Sequence, residues 1–355
     1  MKIALIIPSL SKGGAERTVS NLSLAMQDEH DVSVIVLDSQ DQQYPHGGKL
    51  IDLGTPPSSS GALGKVYMLL KRAYRLKKLF KKEKYDGVFA FMEAAGLPAA
   101  IASKEVFVSV RDTPEKLAGF YPKLIKYIYP RAKKVIAVAK ATEQKLVNHY
   151  GLTKTTTIYN MANIDMAAEL STADIDIKQP FILAVGRLNK QKGFDFLIKA
   201  YAASKAKDHI NLLILGDGPE QEALQKLIDD NQLNDKATLY GSSNNPFAFY
   251  AKADFFVLSS RHEGFPNILI EALACHAACI AVDCPTGPNE IITPNENGLL
   301  IPTENIPELT KAIDQLYFDN ALKAKFRKNA QASVKYLSPE AIAQQWVDLI
   351  EAKQS

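Results

Sequence analysis

The feature that most limits what this chain can fold into is an alternation of short apolar runs with stretches of helical periodicity. Residues 3–9, 32–37, 50–53, 88–91, 106–110, 135–139 and 156–159 each read as a strand, and most lead through a small or polar loop into a helical pattern. The run at 3–9 is apolar at almost every position rather than every second one, as expected of a strand covered on both faces. Strands that alternate with helices in this way make parallel sheets with helices on either side. The pattern lapses over 166–179, a polar stretch without periodicity, and resumes with runs at 181–185, 211–215, 237–240, 255–258 and 279–282. A chain of 355 residues is also too long for one ordinary core. The expected organisation is α/β throughout, with a first domain over 1–165, a linker over 166–179 and a second domain over 180–336. A closing helix over 337–355 carries Ile342, Trp346, Leu349 and Ile350, and is expected to pack back toward the first domain.

Sheets of this kind bind ligands beyond the carboxyl ends of their strands, where helix N-termini present free N–H groups. After the run at 255–258 comes Glu263-Gly264-Phe265-Pro266-Asn267, then a short helix bearing Glu271. Fewer than two turns separate Pro266 from Glu271, so Glu271 lies on the helix and Glu263 at its mouth. Two acceptors around one helix start suit a polyhydroxylated ligand, although one capping and one exposed Glu would give the same spacing. After the run at 181–185 stands Gly186-Arg187-Leu188-Asn189-Lys190-Gln191-Lys192-Gly193. Fixed cations beside a point where negative charge develops lower the barrier to a reaction there. Two exposed loop cations would explain Arg187 or Lys192 singly, but not their common place at a strand end between two glycines.

These segments resemble the Glu-x7-Glu and Gly-Arg-Leu…Lys-Gly motifs of the retaining glycosyltransferases of family 4. Two further stretches are similar to that family, Gly13-Gly14-Ala15-Glu16-Arg17 after the first strand and Cys284-Pro285-Thr286-Gly287-Pro288-Asn289-Glu290. The resemblance spans the chain. It implies the GT-B fold, two Rossmann-like doubly wound domains facing each other across a cleft. It implies that Arg187 and Lys192 hold the donor diphosphate and act in catalysis with Glu263. The sugar would rest on Glu263 and the Gly264, Phe265, Pro266 and Asn267 backbone, and the ribose on Glu271. Gly14, Gly186, Gly241 and Ser242 would complete the nucleotide-sugar site, and Gly13, Glu16, Arg111 and Asp112 would lie on the acceptor side. Many members of the family have a His where Arg111 and Asp112 stand; the Arg-Asp form resembles a subgroup acting on lipid-linked sugars. No metal and no cofactor beyond the sugar nucleotide are implied. The glycine pair at 13–14 is not the Gly-x-Gly-x-x-Gly of dinucleotide enzymes, which argues against an oxidoreductase.

Charge separates the two halves. Residues 1–170 hold 24 Lys and Arg against 16 Asp and Glu, and the remainder 18 against 23. Much of the excess lies in Lys65–Lys84, with nine basic residues and one Glu, and in Lys116–Lys134, with six basic residues and interleaved Phe120, Tyr121, Tyr127 and Tyr129. In the first of these Val66, Leu69, Leu70, Ala73, Leu76 and Phe80 recur at helical spacing, which predicts one apolar face with the bases opposite. Basic and aromatic residues together suit an anionic membrane surface. They would also suit single-stranded nucleic acid, which has no use for Glu263 and Glu271. A solvated helix face gives the same pattern. No run approaches the roughly 20 apolar residues of a membrane span, and the N-terminus lacks the pattern of a signal peptide. Cys275, Cys279 and Cys284 lack a Cys-x2-Cys pair and read as core thiols of a reducing compartment. Asp174-Ile175-Asp176 reads as a chance Asp-x-Asp within the linker.

The reading is a retaining, metal-independent glycosyltransferase that moves a sugar, N-acetylhexosamine or galactose favoured, from a UDP-sugar to an undecaprenyl-diphosphate-linked saccharide. It is expected to sit peripherally on the cytoplasmic face of a bacterial inner membrane and not to bind nucleic acid. The alternatives are a GT-B UDP-N-acetylhexosamine 2-epimerase, which needs no acceptor, and a sugar-nucleotide binding protein without turnover.

Overall fold

The structure is a computed structural model and describes residues 1–11, 13–56, 61–111, 121–177 and 179–352. These residues form two units, one of Met1–Met161 with Pro339–Ser355 and one of Ala162–Ser338.

The first unit contains β1 (Lys2–Ile7), β2 (Asp31–Val36), β3 (Lys49–Asp52), β4 (Gly87–Phe91), β5 (Val106–Val110), β6 (Lys134–Ala137) and β7 (Thr155–Thr157). They form one sheet in the order β3-β2-β1-β4-β5-β6-β7, parallel throughout. Ile3 to Ile7 are wholly buried, as the continuous apolar run requires of a central strand. One face of the sheet packs Ala4, Ile6, Ala90 and Val108 against Leu76, Leu97 and Tyr129 from the covering helices.

The other face receives the helix Pro339–Glu351, which belongs to this unit. Trp346 is fully buried there. Its ring meets Phe89 edge-on at 5.1 Å and Phe91 at 5.2 Å. Ile350 lies so close over β4 that a Cβ on Gly87 would stand 2.3 Å from its Cδ1. A bulkier residue at 87 would lift the helix off the sheet.

The second unit contains β8 (Phe181–Val185), β9 (Asn211–Leu215), β10 (Ala237–Gly241), β11 (Phe255–Leu258), β12 (Cys279–Asp283) and β13 (Gly298–Pro302). Their order is β10-β9-β8-β11-β12-β13, again parallel. In each unit the chain winds outward in one direction, returns to the centre and winds the other way. The reversal falls between β1 and β4 in the first sheet and between β8 and β11 in the second. That is the crevice where doubly wound sheets take their ligands.

Three local expectations need correction. β13 is an edge strand that sequence reading left unassigned; its five residues begin with Gly298 and end with Pro302, both poor strand formers. The stretch read as a linker opens in the helix Ile164–Leu170, which Asn163 caps by accepting from the Met166 N–H at 2.9 Å. The helix Ala62–Glu83 buries Ala73 and Leu76 and half-buries Leu69 and Phe80, but Val66 and Leu70 are exposed. Their spacing belongs to a second apolar stripe and not to the core face. In the other basic segment, Phe120 falls outside the described residues, Tyr129 is core and Tyr127 is exposed.

Trp346 is the only tryptophan in the chain, so intrinsic fluorescence reports the first unit. Ile350→Ala removes a buried side chain and is expected to cost about 2–5 kcal/mol. A urea titration followed by Trp346 emission would show a lowered midpoint. An unchanged midpoint would mean that the terminal helix adds nothing to this unit.

Candidate active site

The loops after β8 and β11 flank the reversal in the second sheet and carry the two strongest motifs. Gly186 has φ +152, and Gly193, which ends the 3-10 turn Lys190–Lys192, has φ +65. Gly193 also lies against the next loop. A Cβ there would stand 2.2 Å from the Ser259 carbonyl oxygen, a backbone atom that cannot swing away. Asn189 holds the turn by accepting from the Lys192 N–H at 3.2 Å. From the other side the loop is tied to β9, since the Gly186 N–H donates to the Leu215 carbonyl and the Leu188 N–H to the Asp217 carbonyl, each at 2.9 Å.

These constraints aim Lys192. Its stem crosses over Gly186, where a Cβ would lie 3.2 Å from Lys192 Cδ and Cε. Its Nζ then donates to Glu263 Oε1 at 2.7 Å. Glu263 is buried, and the same oxygen accepts from Ser260 Oγ at 2.6 Å. Its backbone carbonyl accepts from Thr286 Oγ1. The structure therefore joins the residue expected on the phosphate to the residue expected on the sugar, 71 positions apart. Arg187 is exposed and makes no ion pair among the described residues.

A second set of bonds locks the two motif loops together. Arg261 clasps Asp195 with both terminal nitrogens, at 2.8 and 2.9 Å, and donates from Nε to Glu304 at 2.7 Å. The Arg261 N–H donates to the Gln191 carbonyl, Gln191 Nε2 to the His262 carbonyl and Ser259 Oγ to the Lys192 carbonyl. The Arg261 guanidinium holds the Asp195 carboxyl below the usual carboxylate range. Sequence reading missed Ser260, Arg261, Asp195 and Thr286. Ser260 and Arg261 were signalled only as a Ser-Ser-Arg run at a strand end and Thr286 only as part of the Cys284–Glu290 run, while nothing marked Asp195.

Beyond Glu263, Gly264 leads into buried Phe265 and Pro266, and the helix Asn267–Ala274 begins. Glu271 sits one turn in, partly exposed, on a helix otherwise packed through Leu269, Ile270, Ala272 and Leu273. The run after β12 presses on this segment. Gly287 has φ +96, and a Cβ there would come within 2.7 Å of Pro266 Cδ. Gly241 has φ +85, and its carbonyl accepts from the Gly216 N–H at 2.8 Å; Ser242 next to it is exposed. Glu263, Lys192, Gly186 and the 264–267 segment are thus held as one group, and the Gly241 loop joins it through Gly216.

In the first unit Gly13 caps the helix Gly14–Met26 in extended backbone, at φ −170. Neither glycine of the pair occupies the left-handed region. Instead the Glu16 carboxylate folds against Gly13, where a Cβ would stand 2.2 Å from its Oε2, and burial raises the Glu16 pKa. Arg111 follows β5. Its guanidinium donates to Thr18 Oγ1 at 3.0 Å, to Asn160 Oδ1 and to Ser109 Oγ at 3.4 Å, with the Phe91 ring centroid 5.9 Å away. Burial weakens its hold on the proton, yet a guanidinium stays charged at neutral pH. Asp112 lies outside the described residues. At the reversal of this sheet Met92 takes φ +66 and ψ 160, a region that costs a residue other than glycine of order 1–3 kcal/mol.

The remaining candidates settle into structure. Asp174 pairs on the surface with Lys252 at 3.0 Å. The three cysteines are free and buried, and burial pushes the Cys275 and Cys284 thiols up to about 12. Among the described residues no helix is long and apolar enough to cross a membrane.

With this geometry in view, comparison with known proteins is informative. Residues 12–166 match the family model Glycosyltransferase Family 4, and residues 165–333 match Glycosyl transferases group 1. A Campylobacter jejuni N-acetylgalactosamine-N,N'-diacetylbacillosaminyl-diphospho-undecaprenol 4-alpha-N-acetylgalactosaminyltransferase is 29% identical over 96% of this chain and 97% of its own. The amylovoran biosynthesis glycosyltransferase AmsD of Erwinia amylovora is 28% identical over 98% and 99%. Among solved structures, Anabaena Alr3699/HepE in complex with UDP superposes with a TM-score of 0.82 at 21% identity, covering 99% of this chain and 100% of that one. Two Rossmann-type units that carry these motifs at their strand ends, matched in order by two glycosyltransferase models, make this chain a glycosyltransferase of the GT-B fold, a member of family 4.

Proposed function

We propose that this enzyme transfers an N-acetylhexosamine from a UDP-sugar to an undecaprenyl-diphosphate-linked saccharide, with retention at the anomeric carbon and without a metal. The observation that carries the reading is the Lys192–Glu263 pair at 2.7 Å beside the sheet reversal. It sets a cation for the leaving phosphate next to a carboxylate for the sugar. The choice of sugar and acceptor is supported by the Campylobacter relative, whose name specifies an undecaprenol diphosphate and a galactosaminyl transfer. A UDP donor is supported by the Anabaena complex. No observation favours the epimerase or the binding protein without turnover.

In this mechanism the bond between the anomeric carbon and the diphosphate breaks as the acceptor oxygen attacks from the same face. The acceptor's proton passes to a phosphate oxygen of the departing UDP. Lys192 and Arg187 stabilise the charge that grows on that diphosphate. Glu263 grips sugar hydroxyls while Ser260 and Lys192 hold it in place, so it is not a nucleophile. Glu271 holds the ribose. Gly241 and Ser242 pass the base, and Gly14 completes the nucleotide-sugar set. Gly13, Glu16, Arg111 and Asp112 are assigned to the acceptor. The basic segments Lys65–Lys84 and Lys116–Lys134 are assigned to an anionic membrane surface, each base near it contributing about 1 kcal/mol.

The cationic grip is tested by Arg187→Ala with Lys192→Ala, which together should lower kcat at least about 100-fold, while EDTA should leave the wild-type rate unchanged. Full transfer by the double variant, or its loss in EDTA, would refute the mechanism. The two glutamates separate by ligand. Thermal shifts should show Glu271→Ala weakening both UDP and UDP-N-acetylhexosamine, and Glu263→Ala weakening only the sugar nucleotide, each by about tenfold or more. The same loss of UDP binding in both variants would overturn these roles.

A further inference from the structure

The helix Ala62–Glu83 carries an apolar stripe that faces away from the core. Leu63 is 89% exposed, Tyr67 62%, Leu70 56% and Tyr74 70%, with Val66 at 39%. Counted from Leu63 these stand at i, i+3, i+4, i+7 and i+11, which is one side of a helix over three turns. Continuing the same side, positions i+14, i+15 and i+18 are Lys77, Lys78 and Lys81, all exposed. One exposed side is therefore apolar and aromatic at its N-terminal end and cationic at its C-terminal end. A solvated face has no reason to collect two leucines and two tyrosines, and electrostatic attraction alone gives them no role.

We infer that the first three turns of this helix insert their apolar side into the headgroup–acyl boundary of an anionic membrane, while Lys77, Lys78 and Lys81 stay at the phosphates. Leucine enters the acyl region, and the tyrosine ring sits at the interface with its hydroxyl toward water. The occupant is lipid and not a second protein because the lysines prolong the same stripe, so charge and apolar surface must be met together. The Lys71 ammonium, 5.9 Å from the Tyr67 ring centroid, borders the stripe with a further cation. Another side of the same turns lines a cavity of about 440 Å³ in the first unit with Lys65, Met68 and Arg72, opposite Pro8, Ser9 and Asp38. Insertion would set that cavity beside the surface that delivers a lipid-linked substrate. This inference rests on the proposed membrane reading and adds to it a contact that salt does not screen.

The test is flotation of the full chain with vesicles of phosphatidylglycerol and phosphatidylcholine at 50 mM and 500 mM NaCl. Wild type should float at both, and the Leu63→Ser, Tyr67→Ser, Leu70→Ser, Tyr74→Ser variant only at 50 mM, with at least a tenfold drop at 500 mM. Trp346 emission would check that the variant is folded. As a second readout, an environment-sensitive fluorophore on Leu70→Cys should shift to the blue with vesicles, and one on Lys78→Cys should not. Wild type that floats only at 50 mM overturns insertion and leaves the electrostatic reading standing, whereas no flotation at either salt sinks both. A salt-resistant quadruple variant, or a dimer that the four substitutions abolish with no change in flotation, also overturns the inference.

Discussion

The second unit depends on one ion pair and the backbone that lets it form. Lys192 reaches Glu263 because Gly186 leaves room for its stem and Gly193 turns the chain against Ser259. Both loops start from neighbouring strands, β8 and β11, and those strands are neighbours only because the sheet reverses its winding there. Topology thus brings together two groups that lie 71 residues apart. Charge fixes their final contact. A buried carboxylate is tolerable when paired and hydrogen-bonded, and Glu263 receives both a cation and the Ser260 hydroxyl on one oxygen.

Around that pair, the Arg261–Asp195 clasp works at the rim. Asp195 and Glu304 are substantially exposed, so each ion pair is weak taken alone. Their value lies in position. Arg261 also bonds the Lys190 carbonyl and its own N–H bonds the Gln191 carbonyl. The two loops are thereby fixed relative to each other before any ligand arrives, which is what a preorganised electrostatic site requires. In the first unit, half-buried Arg111 takes neutral partners in Thr18, Asn160 and Ser109.

The central strands of both sheets were legible because buried parallel strands leave uninterrupted apolar runs, whereas β3 and β7 at the edges of the first sheet are only partly covered. β13 escaped because Gly298 and Pro302 bound it with poor strand formers. The motif loops were legible through glycines and charges at strand ends. What joins them was not. Asp195 and Arg261 are separated by 66 residues, and nothing local marks them as partners. Helical periodicity in Ala62–Glu83 identified a helix but merged two apolar stripes into one, since Val66 and Leu70 fit the spacing of the buried side almost as well as that of the exposed one. Only burial separates them.

The central claim is that a fixed cation of the second unit meets the departing diphosphate where it also holds the sugar-binding carboxylate. A crystal structure of the enzyme with UDP tests this most directly. The account expects a β-phosphate oxygen within hydrogen-bond distance, roughly 3 Å, of Lys192 Nζ, Arg187 folded onto the same phosphate, and the ribose hydroxyls on Glu271. A diphosphate bound away from Lys192, or held through a metal ion, would contradict it.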